Sequence, residues 1–121
     1  MYSPEVLDHF EHPRNAGVVA EPDAVVEITN PACGDILKLS IRLSGSRLEE
    51  IRFQAKGCVS SVACASALTE LATGKTISQA RNLMREELEK AVGGLPPASA
   101  HAAHLAMDAL AAALDQIRNK H

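Results

Sequence analysis

Two stretches of alternating apolar and polar residues, joined by a short turn, constrain the fold of this chain most strongly. Apolar residues occupy every second position from Leu37 to Leu43, and again from Ile51 to Ala55. A period of two is typical of β-strands with one buried face. The segment between them, Ser44-Gly45-Ser46-Arg47, has the composition of a turn. The pattern therefore predicts an antiparallel β-hairpin.

The register of this hairpin predicts what lies at its open end. Facing residues in an antiparallel pair have numbers with a constant sum, and pairing Leu43 with Leu48 sets that sum to 91. Cys33 and Cys58 also sum to 91, so we expect them to meet just beyond the ends of the two strands. Asp35 belongs to the same end. A register error of one or two residues leaves this expectation unchanged.

The surroundings of these two cysteines suit metal binding. Both lie in glycine-containing segments, Pro31-Ala32-Cys33-Gly34-Asp35 and Lys56-Gly57-Cys58, and glycine allows a backbone to approach a ligand closely. Cys58 also precedes a predicted helix, whose positive dipole end favours a thiolate. Thiolates bind zinc, copper(I) or iron–sulfur clusters. The alternative is two ordinary buried cysteines, because free cysteine is often buried.

Other candidate ligands have simpler explanations. Cys64 lies in the apolar stripe of Leu68 and Leu71, which favours a core position. His101 and His104 are three residues apart on the last predicted helix and share a face with Asp108. Two histidines at this spacing can bind one metal ion, whereas a solvated polar face explains the same pattern.

The rest of the chain predicts one α+β domain over residues 1–121. Ser3 and Pro4 predict the start of a helix that ends near His12, and a short strand is expected near Val25–Ile28. Further helices are predicted from Ser60 or Ser61 to Gly74, over 77–80 and 84–92, and after Gly93–Pro97. The last helix carries an apolar stripe of Ala103, Met107, Leu110, Leu114 and Ile117. Strands followed by helices indicate an α+β fold.

Composition excludes several classes of protein. With 2% aromatic residues and a net charge of −3, the chain lacks the stacking platforms and basic surface of a nucleic-acid binder. It has no apolar run long enough to cross a membrane. Its N-terminus lacks the pattern of a signal peptide, which predicts a cytoplasmic location. Three cysteines without an export signal favour metal or thiol chemistry over disulfides.

Taken together, the motifs resemble the IscU/NifU N-terminal family of iron–sulfur cluster scaffolds over nearly the whole chain. The matching segments are Asp8-His9-Phe10, Pro13-Arg14-Asn15-Ala16-Gly17, Asn30-Pro31-Ala32-Cys33-Gly34-Asp35, Lys56-Gly57-Cys58, Thr69-Glu70-Leu71, Gly74-Lys75 and Gly94-Leu95-Pro96-Pro97. The resemblance implies an IscU/SufE-like fold, a small three-stranded antiparallel sheet with helices packed on one face. It also implies a non-enzymatic scaffold that builds a transient 2Fe–2S cluster. Implied partners are a cysteine desulfurase as sulfur donor, an iron or electron donor, and apo-proteins that accept the cluster.

The resemblance also implies site residues. Cys33 and Cys58 match two of the family's three cluster cysteines. Asp35 matches the aspartate that loosens the cluster and helps its release, and an oxygen ligand suits that task because it binds iron less tightly than a thiolate. His101 matches a histidine at the start of the last helix.

Two positions depart from the family pattern. The third cysteine follows the matching histidine, and Ala102 occupies its place. The alanine could be an engineered change, a natural difference compensated by His101, His104 or Asp35, or the mark of a degenerate paralogue. The family's Leu-Pro-Pro-Val-Lys chaperone motif is Leu95-Pro96-Pro97-Ala98-Ser99 here, and the missing lysine argues against recognition by the dedicated chaperone.

Two other functions fit some of these residues. Two cysteines, one aspartate and one histidine make a complete tetrahedral set for a single zinc ion, which favours a zinc- or iron-binding protein with a regulatory role. A cysteine–histidine pair could also serve an enzyme. Nothing in the sequence marks an oxyanion hole or a substrate pocket, so we expect no enzyme.

Overall fold

The fold is described by a computed structural model that covers residues 2–30 and 34–120. The elements are α1 (Pro4–Glu11), β1 (Ala24–Asn30), β2 (Asp35–Ser44), β3 (Arg47–Lys56), α2 (Val59–Ala72), α3 (Ile77–Arg81), α4 (Arg85–Ala91) and α5 (Ala100–Lys120), with one 3₁₀ turn (Pro97–Ser99) before α5. The three strands form an antiparallel sheet in the order β1-β2-β3. The predicted fold class is confirmed.

The hairpin of β2 and β3 contains a β-bulge that the sequence pattern did not reveal. Leu43 pairs with Leu48, as predicted, but Arg42 pairs with Glu50, so Glu49 is an extra residue on β3. From the bulge to the open end of the hairpin, the numbers of facing residues therefore sum to 92 instead of 91. Ile36 pairs with Lys56 in this register, and the next facing pair joins Asp35 to Gly57.

The core lies between the sheet and the helices, and alanine supplies much of its helical side. Leu37, Leu39 and Ile41 of β2 face α2 and α5 and are fully buried. The buried alanines on these helices are Ala63, Ala65, Ala67, Ala72, Ala102, Ala103, Ala106, Ala109 and Ala113. Small side chains allow the two helices to pack close to the sheet and to each other. This packing positions the first turns of both helices beside the open end of the hairpin.

Helix α5 is held against β1 by the Gln116 side chain, which bonds the main chain of this edge strand as a neighbouring strand would. The Gln116 Oε1 accepts a hydrogen bond from the Val25 N–H at 2.8 Å, and its Nε2 donates to the Val25 carbonyl at 3.0 Å. A single amide thus satisfies both main-chain groups of one residue on this edge strand. The predicted stripe of α5 is buried except for Met107, which is partly exposed and packs against the core.

Helix α1 is joined to α2 by a buried histidine. His9 is 8% exposed, and its Nδ1 lies 2.8 Å from the Ser66 Oγ. The same Oγ accepts a hydrogen bond from the Arg14 N–H, so the Ser66 hydroxyl proton is available to a neutral His9. His9 therefore packs α1 against α2.

The His9 contact predicts a pH-dependent free energy of unfolding. Burial, with a smaller effect from the Arg14 charge, lowers the pKa of His9 below its usual 6.5, while Glu70 and Asp8 oppose this shift. Because the unfolded chain binds the proton more readily, stability should be complete above pH 6.5 and fall below it, by at most about 1.4 kcal/mol per pH unit. Urea unfolding between pH 7.5 and 5.5 tests this. His9→Gln should flatten the dependence, whereas substitution of the exposed His12 should not.

None of the helices in the part of the chain that the structure describes is long and apolar enough to cross a membrane.

Candidate metal centre

Three potential metal ligands converge at the open end of the hairpin. Asp35 begins β2, Cys58 directly precedes α2, and His101 lies in the first turn of α5. The Cys58 Sγ lies 3.7 Å from the Asp35 Oδ2 and 3.9 Å from the His101 Nε2, and the last two atoms are 3.4 Å apart. Donor atoms around one tetrahedral zinc ion are separated by roughly 3.3–3.6 Å. The three side chains therefore need little movement to bind a single ion.

Gly57 makes room for the carboxylate of Asp35. The Gly57 φ is +151°, and a Cβ atom at this position would lie 2.2 Å from the Asp35 Oδ1. Since the bulge sets the register of the hairpin, it is the bulge that places a residue without a side chain opposite Asp35. A hairpin without the bulge would put Lys56 opposite Asp35, but in the structure Lys56 pairs with Ile36.

Asp35 is buried yet held in its ionised form. The residue is 4% exposed, and burial alone would raise its pKa. Hydrogen bonds from the Ser61 hydroxyl and the Cys58 N–H, together with the contact to His101, outweigh burial and hold the pKa of Asp35 below its usual value. Asp35 therefore presents an ionised oxygen ligand at neutral pH.

The two described cysteines have opposite environments. Cys58 is half-buried at the N-terminus of α2, and its carbonyl accepts hydrogen bonds from the Ser61 and Val62 N–H groups. Its Sγ lies at the positive end of the helix dipole, within reach of Asp35 and His101. Cys64 is fully buried, and burial raises the pKa of its thiol to about 12. The predicted core position of Cys64 is confirmed.

The remaining sequence candidates fall into three groups. Cys33 lies outside the described residues, so its place among the ligands stays a prediction. His104 contacts the Arg85 guanidinium instead of the other three ligands. His104, Asp108 and His101 do share a face, since all three line a cavity of about 270 Å³ beside β1. Ala102 is 1% exposed and belongs to the core.

Ser61 was not recognised as a site residue. Ser60 or Ser61 was predicted to cap α2, but the capping position belongs to Cys58, whose side chain makes no capping hydrogen bond. Ser61 is instead the third helical residue, and its Oγ lies 2.6 Å from the Asp35 Oδ2. The third helical residue lies on the side of the helix that faces back towards the cap, as the glutamate of a capping box does. Its spacing from Cys58 was therefore a usable signal.

Solved structures share this fold. The scaffold protein of the SUF system from Fervidobacterium islandicum AW-1, described as a putative iron–sulfur cluster assembly protein, superposes with a TM-score of 0.80 at 21% identity. The match covers 93% of this chain and 96% of that one. At this identity, the likeness supports the fold alone.

Sequence relatives extend the comparison beyond the fold. The family model of the NifU-like N-terminal domain matches residues 1–121. The iron–sulfur cluster assembly scaffold protein IscU 1 of Archaeoglobus fulgidus is 43% identical over 114 residues, which cover 94% of this chain and 74% of the relative. The IscU scaffold protein of Aquifex aeolicus is 39% identical over 115 residues, covering 93% and 73%. The chain therefore belongs to the NifU-like N-terminal domain family, the IscU-type iron–sulfur cluster assembly scaffolds, which are not enzymes.

Proposed function

We propose that this chain assembles a 2Fe–2S cluster with sulfur from a cysteine desulfurase and passes the cluster to apo-proteins. The observation that carries the proposal is the convergence of Asp35, Cys58 and His101 at one end of the hairpin, with ligand atoms within 4.8 Å of one another. Iron and sulfide are the cargo of such a site, which must bind them firmly enough to assemble a cluster and loosely enough to release it.

Four residues supply the terminal ligands that this cluster requires. Each iron of a 2Fe–2S cluster binds two bridging sulfides and two protein ligands. Cys33, Asp35, Cys58 and His101 provide this number without a cysteine at position 102. The carboxylate of Asp35 and the imidazole of His101 bind iron less tightly than thiolates do. A cluster with this mixed ligand set is therefore suited to transfer.

The position of the site also defines how partners approach it. Cys58 and His101 are partly exposed, whereas Asp35 is buried behind them. A desulfurase therefore docks at the cysteine end of the hairpin, where sulfur can be handed across. An iron or electron donor and the apo-protein acceptors use the same end. The segment 95–99 lacks the family's lysine, so no role for the dedicated chaperone is included.

A zinc- or iron-binding role is the second candidate, and one observation favours it. The distances among the three ligand atoms already approach those around one tetrahedral ion. Zinc binds nitrogen and oxygen ligands as well as thiolates, so a single zinc ion depends less on a third thiolate than a two-iron cluster does. In this case the chain would be a degenerate paralogue with a regulatory role.

Metal and sulfide analysis tests the proposed function. After anaerobic reconstitution with iron, sulfide and a desulfurase, we expect visible absorbance and stoichiometric iron and sulfide in the unaltered chain. Cys58→Ala should lose both because it removes a thiolate ligand. Cys64→Ala is the matched control and should keep them, since Cys64 is fully buried in the core. Equal cluster content in Cys58→Ala and the unaltered chain would contradict the proposed ligation.

The variant Ala102→Cys distinguishes the two candidate functions. We expect a cluster in both the unaltered chain and this variant, held longer in the variant because of the added thiolate. A cluster in Ala102→Cys only, with stoichiometric zinc in the unaltered chain as purified, would support the zinc-binding role instead.

A further inference from the structure

We infer that Ser61 is a positioning residue that holds the Asp35 carboxylate where it can bind metal together with Cys58 and His101. The inference rests on the proposed function, because it concerns the same centre. It adds a residue that coordinates nothing itself but determines how well the centre is formed before an ion arrives.

The hydrogen bond of Ser61 is directed at the oxygen that matters for metal binding. The Asp35 Oδ2 lies 2.6 Å from the Ser61 Oγ and is also the oxygen nearest to the Cys58 Sγ and the His101 Nε2. The other oxygen, Oδ1, packs over Gly57. A carboxylate oxygen has two lone pairs, so Oδ2 can accept the hydrogen bond from Ser61 and still bind a metal ion.

The Ser61 hydroxyl has one proton to donate and two neighbours that could accept it. The Ser61 Oγ lies 3.3 Å from the Cys58 Sγ as well as 2.6 Å from the Asp35 Oδ2. An ionised carboxylate can only accept, so the hydroxyl proton belongs to Asp35. The oxygen of Ser61 then remains an acceptor beside Cys58. One buried hydroxyl therefore contacts two of the three ligand side chains.

Loss of this hydroxyl should weaken metal binding more than folding. Ser61 and Asp35 are both 4% exposed, so no bulk water replaces the missing donor. The Asp35 side chain would then have fewer restraints on its orientation, and an ion would have to order it on binding. Partners that orient metal ligands in this way typically contribute 10- to 100-fold in affinity, so we expect a loss of about 10-fold or more.

The chain offers a matched control one residue away. Ser60 is fully buried in the same turn of α2, and its Oγ has no hydrogen-bond partner among the residues that the structure describes. Ser60→Ala removes a buried hydroxyl of the same size without touching Asp35. Ser61→Thr and Ser61→Val form a second pair, nearly equal in size, of which only threonine keeps the hydroxyl.

The experiment is a titration of the metal-free full chain with Zn²⁺, in competition with a chromophoric chelator, and with Co²⁺ followed by its spectrum. We expect weaker Zn²⁺ binding in Ser61→Ala and Ser61→Val, and near-normal binding in Ser60→Ala and Ser61→Thr. With Co²⁺ at saturation, Ser61→Ala should keep the thiolate-to-metal band of Cys58 but show altered d–d bands, because the Asp35 oxygen is displaced. If Ser61 had only a structural role, the Co²⁺ spectrum would not change, and Ser61→Thr and Ser61→Val would bind Zn²⁺ equally well.

Two results would overturn the inference, and they are distinguishable. If the unaltered chain binds Zn²⁺ while Ser61→Ala and Ser61→Val match it, or while Ser60→Ala weakens binding equally, Ser61 has no positioning role and the proposed centre stands. If the unaltered chain binds neither ion, the centre and the role of Ser61 both fail. Should Ser61→Ala not fold, the threonine–valine pair decides.

Discussion

Replacement of Gly57 by alanine is expected to lower the free energy of unfolding by about 3 kcal/mol and to reduce Zn²⁺ affinity at least about 10-fold. The added Cβ would lie 2.2 Å from the Asp35 Oδ1 and 2.6 Å from its Cγ, so the carboxylate must move. That movement breaks its buried hydrogen bond with Ser61, and the positive φ at Gly57 adds backbone strain. Stability and metal binding should therefore fall together.

Urea unfolding of the metal-free protein and a Zn²⁺ titration measure these two effects. Gly45→Ala is the matched control, because Gly45 also has a positive φ of +62° but nothing lies within 4 Å of its added Cβ. It should cost only about 1 kcal/mol and leave Zn²⁺ binding unchanged. Equal losses in the two variants would show that backbone strain, and not the contact with Asp35, explains the effect.

Ala109→Leu is expected to lower the free energy of unfolding by about 2–3 kcal/mol while Zn²⁺ affinity stays unchanged. Ala109 is completely buried on α5, in a core where alanines determine how closely the helices approach. Three extra carbon atoms fit there only if α5 or its neighbours shift. Position 109 lies about two turns of helix from His101, so the metal centre should tolerate a small shift.

Ala111→Leu is the control for overpacking. Ala111 is exposed on the same helix, so leucine there changes size and helix propensity equally but meets no packed neighbour. Its free energy of unfolding should change by less than about 0.5 kcal/mol. A similar loss in both variants would contradict the account of the core as an alanine-limited packing.

The parts of the fold that follow from periodicity could be predicted from the sequence. The alternation from Leu37 to Leu43 specified a strand with its apolar face in the core, and Leu43 pairs with Leu48 as the turn required. The expectation of a single buried face was wrong at Ser40, which is 2% exposed because the segment at Val19 covers it. Ser3 accepts a hydrogen bond from the Val6 N–H at the start of α1, as its position before Pro4 indicated. These features depend on local residue order, which a sequence displays directly.

Features that depend on tertiary contacts could not be predicted in the same way. The bulge at Glu49 shifts the phase of the alternation between Leu48 and Ile51, which are three residues apart and both buried, so it escapes a prediction that treats each alternating run separately. The predicted cap of α2, Ser60 or Ser61, lies two or three residues after the observed one, because serine is a preferred capping residue. In the structure the capping position belongs to Cys58, the residue that joins the hairpin to the helix. Of the two histidines, His101 contacts Asp35, whereas the His104 imidazole contacts the Arg85 guanidinium. That distinction requires knowing where α4 packs.

The metal centre depends on the number of residues in β3, because the pairing beside the bulge at Glu49 fixes which residue lies opposite Asp35 at the far end of the hairpin. Eight residues of strand, about 26 Å, separate Leu43 beside the bulge from Asp35. With the bulge kept, deletion of one residue between 50 and 56 would bring Cys58 opposite Asp35 in place of Gly57 and would turn the core-facing side chains after the deletion outward. Insertions within the turn at 44–47 would instead leave every strand pair intact. Natural length variation in this hairpin is therefore expected at the turn and not between 50 and 57, so an alignment gap between 50 and 57 would distinguish chains that have lost the centre from chains that keep it.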